Sequence, residues 1–173
     1  YFGIDIECPI IAYSTSGITL NAPSDELLRK IKRGLTNFSD IAVRDSITAE
    51  WVGRLLKKKI DIVLDPTLLN PCFAGRNRVD SDFILVYGED FTREHIEAIR
   101  SFSSKKKLLL KSVVWKHEWC DEYLETERAE ELQDYFASSS YCMVSTFHGT
   151  IFSIVNRKLF TSFVTEARGE KMT

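Results

Sequence analysis

The chain has 173 residues, 44% hydrophobic and 28% charged, the composition of an ordinary globular protein long enough for one large core or two small ones. A formal net charge of −2 and a pI near 6.0 exclude a global electrostatic pull toward nucleic acid or anionic membrane. No apolar run is long enough to span a bilayer, and four scattered cysteines without CxxC or Cys/His spacing argue against a zinc site or a disulfide scaffold.

In chain order, strand patterns alternate with helix patterns. Residues 9–14 read as a strand ending in the small polar loop Ser14-Thr15-Ser16-Gly17. Ser24 then caps a helix with Asp25 and Glu26 in its first turn and Leu27, Leu28, Ile31 and Leu35 along its buried stripe. Residues 40–45 form a short β-branched run that delivers Arg44 and Asp45 at its C-terminal end. Ser46 or Thr48 starts the next helix, whose apolar side carries Trp51, Leu55 and Leu56. Residues 60–64 predict a strand stopped by Asp65-Pro66. From Thr67 to Ser81 the apolar rhythm vanishes, and a linker is expected.

Residues 83–87 open a second unit, whose Gly88-Glu89-Asp90 turn leads to a helix capped by Thr92. Residues 108–115 supply the next strand, 124–137 a charged helix, and 141–144 and 159–164 the last strands, with a helix around 151–155 between them. The triplets Lys57–Lys59 and Lys105–Lys107 fall where helical patterns end, as solvated turns do. Cys142, inside a strand pattern, reads as a buried thiol suited to a reducing compartment. This alternation predicts right-handed crossovers and a mainly parallel sheet in two α/β units, 1–66 and 82–173, joined by 67–81. The opening at Tyr1 and the ending at Thr173 are those expected of a piece of a longer protein.

In open parallel sheets, ligands sit beyond the carboxyl ends of the strands. That rule selects Ser14 to Gly17, Arg44-Asp45, Asp65-Pro66, Gly88-Glu89, Trp115 to Trp119 and Ser145 to Thr150, a shortlist from both sides of the linker that suits a cleft between two units. The most informative stretch is Ser145-Thr146-Phe147-His148-Gly149-Thr150: a strand end, a turn with a histidine, and a helix start. Free N–H groups and the positive helix end there suit a phosphate or carboxylate, and His148 can move a proton. Plain strand-turn-helix structure accounts for the same pattern. Arg44 offers a permanent cationic fork to an anion, or pairs internally with Asp45 or another acid. Asp45 also suits a helix cap and Asp65-Pro66 a turn. His117 reads as a loop residue beside Trp115 and Trp119, able to assist binding, and His95 as a surface residue. There is no Walker loop, no GxGxxG after a strand, no GxSxG elbow, no HExxH and no sign of a metal site.

Four blocks in order carry a resemblance: residues 11–17 around Tyr13-Ser14, 41–46 around Arg44-Asp45, 63–67 around Asp65-Pro66, and 144–154 around His148-Gly149-Thr150. Together they resemble the polysaccharide pyruvyl transferase family over most of the chain, the last block being the strongest match. The resemblance implies Rossmann-like parallel-sheet units of a two-lobed GT-B-like architecture, of which this chain is a fragment lacking an N-terminal portion and a C-terminal end. It implies transfer of pyruvate from phosphoenolpyruvate, as donor substrate and without a cofactor, to a sugar or glycan acceptor as a ketal. His148 is then the catalytic acid, with Arg44, Ser14, Ser16, Gly17, Ser145, Gly149 and Thr150 as substrate-binding candidates. A cytoplasmic location is expected, with peripheral contact to a lipid-linked acceptor at the inner face of a membrane. Many members carry Arg two residues before the histidine, where this chain has Thr146. A nucleotide-sugar glycosyltransferase and a non-catalytic glycan-binding or scaffold subunit remain as alternatives.

Overall fold

A computed structural model describes residues 4, 6–17, 24–69 and 82–164. The chain divides into two compact units, Tyr1–Leu69 and Asn70–Thr173. The first contains β1 (Ile10–Thr15), α1 (Asp25–Leu35), β2 (Phe38–Val43), α2 (Ser46–Leu56), the two-residue β3 (Asp61–Ile62) and a single helical turn, α3 (Pro66–Leu69). Its strands pair in the order β1-β2-β3, all parallel. Ser24 caps α1 by accepting the Leu27 N–H at 3.3 Å, and the α1 stripe buries Ile31 and Leu35 against Ala12, Ile41, Val43, Val52 and Ile60. The helical turn α3 takes in Thr67, so the loss of apolar rhythm begins inside an ordered element, because Asp65 caps it by accepting the Thr67 N–H at 3.0 Å. The rest of the expected linker, 70–81, lies outside the described residues.

The second unit runs β4 (Phe83–Tyr87), α4 (Arg93–Lys106), β5 (Leu109–Val113), β6 (Glu122–Leu124), α5 (Ala129–Ser138), β7 (Tyr141–Val144), α6 (Phe147–Val155) and β8 (Phe160–Ser162). Its five strands are all parallel in the order β6-β5-β4-β7-β8. Central β4 is apolar and buried along its whole length, as a strand covered on both faces must be. On one face, Phe83, Leu85, Tyr87, Cys142 and Val144 pack with Phe136 of α5 and Phe152 of α6. On the other, Ile84, Val86 and Met143 pack with Ile99 and Phe102 of α4. Helices thus cover both faces, and Rossmann-like winding follows. Helices α2 and α4 are each capped at the C-terminal end by a lysine in the left-handed region, Lys57 at φ 54° and Lys107 at φ 56°. Among the described residues no helix is long and apolar enough to cross a membrane.

Candidate active site

The strand order of the second unit fixes where a ligand site belongs. The chain winds outward from β4 through β5 to β6, then returns to the other side of β4 with β7 and β8. The crossovers therefore diverge between β4 and β7, and their carboxyl ends, Tyr87-Gly88 and Val144-Ser145, flank the crevice where open α/β sheets take ligands.

A backbone bond and a close approach at Gly88 lock these two ends together. The Ser145 N–H donates to the Tyr87 carbonyl at 3.1 Å. Gly88 has φ +147°, and a Cβ there would lie 2.0 Å from Ser145 Oγ and 2.9 Å from its nitrogen. Only glycine fits on both counts. Ser145 is fully buried, so this substrate-binding candidate packs beneath the Gly88 turn.

The helix α6 starts at Phe147, four residues before the stretch 151–155 expected from the sequence, because Thr146 is its cap and its Oγ1 accepts the Gly149 N–H at 3.0 Å. His148 consequently sits inside the first turn, half-buried, with its ring 5.5 Å from that of Phe147 and 6.0 Å from that of Phe152. The expectation that Gly149 and Thr150 offer N–H groups to an anion is corrected. Gly149 gives its N–H to the cap and Thr150 gives its own to the Thr146 carbonyl at 3.1 Å. Gly149 instead permits close packing, since a Cβ would meet Tyr87 at 2.8 Å and Val144 at 2.9 Å. The Thr150 hydroxyl bonds Ser162 Oγ at 2.8 Å and ties α6 to β8. Beneath the turn, Tyr87 packs edge-on against Trp115, Phe136 and Phe152, and burial pushes its phenol pKa up.

In the first unit the expected residues gather at the carboxyl edge of β1 to β3. Gly17 donates its N–H to Thr48 Oγ1 at 2.9 Å, and Thr48 donates onward to Asp45 Oδ2 at 2.9 Å. Asp45 also caps α2 through the Thr48 N–H at 2.7 Å. The β1 loop is thereby fastened to the start of α2. Arg44 pairs with buried Asp65, Nη1 to Oδ2 at 3.3 Å, the internal pairing weighed from the sequence. Ser16 is half-buried, while Ser14 is 3% exposed at φ 56°, its hydroxyl without a hydrogen-bond partner among the described residues. Ser14 thus combines a left-handed backbone with a buried hydroxyl. Sequence reasoning missed Thr48 as the relay and Gly88 as the packing pivot; a glycine directly after a wholly apolar strand was the available signal for the latter.

Comparison with known proteins adds the deciding observation. The sequence model of the family described as polysaccharide pyruvyl transferase matches residues 2–165. The chain belongs to the polysaccharide pyruvyl transferase family. No curated protein and no solved structure matches significantly. The family match makes the chain that of an enzyme, a pyruvyl transferase of polysaccharide synthesis. In this pyruvyl transferase Thr146 is the cap of the helix that bears His148.

Proposed function

We propose that this enzyme takes pyruvate from phosphoenolpyruvate and delivers it to two hydroxyls of a sugar as a cyclic ketal, with His148 as the acid. The acceptor is a sugar of a cell-surface polysaccharide or of its lipid-linked or nucleotide-linked precursor, met in the cytoplasm or at the inner face of the membrane. The observation that carries the reading is the position of His148: half-buried, in the first turn of a capped helix, at the divergence of β4 and β7.

The chemistry asks for one acid at that point. Protonating the donor's methylene carbon turns it into a methyl group and leaves C2 electrophilic, so that a sugar oxygen adds there. Loss of phosphate breaks the C2–O bond, and the second sugar oxygen closes the ketal. Of the two hydroxyl protons released, one replaces the proton spent on the methyl group and the other leaves with phosphate. A ring on a rigid helical turn satisfies the need for a fixed proton source. In the first unit, Arg44 with its orientation set by Asp65, together with Ser14, Ser16 and Gly17, is assigned to substrate recognition.

The experiment is phosphate release from phosphoenolpyruvate with a panel of sugar and lipid-linked acceptors and mass detection of product. An acceptor-dependent pyruvyl mass increment that vanishes in folded His148→Gln is expected. Undiminished turnover by that variant would remove His148 from the chemistry, and absence of any pyruvyl product with a broad panel would remove phosphoenolpyruvate as donor.

A further inference from the structure

His117 lies in the loop between β5 and β6, outside the residues assigned to the reaction, yet it reaches the site. Its Nε2 is 2.8 Å from the carbonyl oxygen of Gly88. A carbonyl only accepts, so Nε2 carries a proton in this bond. Gly88 is the residue whose Cα abuts Ser145, and Ser145 is followed at once by the cap Thr146 and the first turn bearing His148. An unbroken path of contacts therefore runs from the His117 ring through the Gly88 turn to the base of α6.

The loop is shaped to make this contact. Directly after β5 the chain reverses through a three-residue γ-turn, the Trp115 N–H donating to the Val113 carbonyl at 2.8 Å. Val114 at its centre has φ +67°, a costly conformation for a β-branched residue. The His117 N–H then reaches Ser112 Oγ at 3.4 Å, and the Cys120 N–H reaches the His117 carbonyl at 3.0 Å. The ring is held between Phe91, edge-on at 5.5 Å, and Trp119, tilted at 5.0 Å. Strain accepted at Val114 is thus coupled to a ring fixed by backbone bonds and by two aromatic neighbours.

We propose that His117 is a positioning residue of the transferase: its Nε2–H fixes the Gly88 carbonyl, and through the Gly88–Ser145 contact it sets the turn that presents His148. This rests on the reading of His148 given above. Two substitutions separate the bond from the packing. Leu and Gln both lose the ring contacts with Phe91 and Trp119, and only Gln retains an N–H donor at a reach like that of Nε2, while neither can shuttle a proton.

The test is steady-state kinetics of folded His117→Leu, His117→Gln and His148→Gln, with the fold checked by circular dichroism and thermal melting. His117→Leu is expected to lose roughly 10- to 100-fold in kcat, as a small misplacement of a reacting group does. Its KM for phosphoenolpyruvate is expected to stay within about threefold of the parent, and His117→Gln to recover kcat to within about fivefold. A fully active His117→Leu, or a His117→Gln no better than His117→Leu, overturns the proposal. Turnover by His148→Gln would overturn the role of His148 itself, whereas an inactive His148→Gln beside a fully active His117→Leu overturns only that of His117.

Discussion

Gly88 and Ser145 occupy each other's space: the position a Gly88 side chain would take is 2.0 Å from Ser145 Oγ. The ends of β4 and β7 are consequently one packed body, and the helix that carries His148 departs from it.

Gly88→Ala puts a methyl group into that overlap and forces an L-residue to φ +147°. A loss of roughly 2 to 4 kcal/mol is expected from backbone strain plus overpacking. The shift of the urea midpoint measures it. A variant as stable as the parent would mean that the two strand ends can separate without penalty.

Thr146 tests whether the start of α6 depends on a capping hydroxyl. Thr146→Ser keeps an oxygen for the Gly149 N–H, while Thr146→Val keeps the shape and removes the acceptor. The valine variant is expected to lose about 1 kcal/mol of stability and the serine variant a few tenths, by thermal melting. Turnover is expected to fall with the cap, since the first turn of α6 bears His148. Equal turnover in the two variants would detach the cap from the chemistry.

The Arg44–Asp65 pair is part-buried, its two side chains 27% and 3% exposed. Removing one partner takes this bond from a charge in a partly desolvated place, so Arg44→Met and Asp65→Asn are each expected to cost about 1 to 3 kcal/mol. The double variant is expected to recover about 1 to 2 kcal/mol of the summed loss. Additive losses in a double-mutant cycle would show that the two side chains do not depend on each other.

How far the sequence reaches can be judged from particular elements. Phe83–Tyr87 and Tyr141–Val144 are predicted to the residue, because a strand buried on both faces is an uninterrupted apolar run bounded by polar residues. The caps Ser24, Asp45 and Thr92 are equally readable, since a short side-chain oxygen two or three residues ahead of its N–H is local information. The strand Glu122–Leu124 is missed. It has three residues at a sheet edge, is held by the parallel pairing with β5 and by the Lys111–Glu122 ion pair at 2.7 Å, and has no apolar rhythm of its own. The helix expected from 124 begins at Ala129, where Glu131 reaches back to accept the N–H groups of Glu127 at 3.0 Å and Arg128 at 3.4 Å.

At the site, His148 and its strand-turn-helix setting are legible, but the partners of its neighbours are not. Whether Gly149 offers its N–H to a ligand depends on where Thr146 points, and the Ser145 side chain is buried by a glycine 57 positions earlier in the chain. His117 and Gly88 meet across 29 positions. Each residue is visible in the sequence as a loop feature, while the bond between them exists only once β5 and β4 are side by side.

The parallel course of every strand in the second unit has a practical side. The connections at the other edge of the sheet, Lys107-Leu108, Ser139-Ser140 and Arg157 to Leu159, lie one strand length from His148, about 15 Å at the usual rise per residue. Leu159 is 71% exposed there. That rim is where a fluorophore, an affinity handle or a surface tether can be attached at a distance from His148.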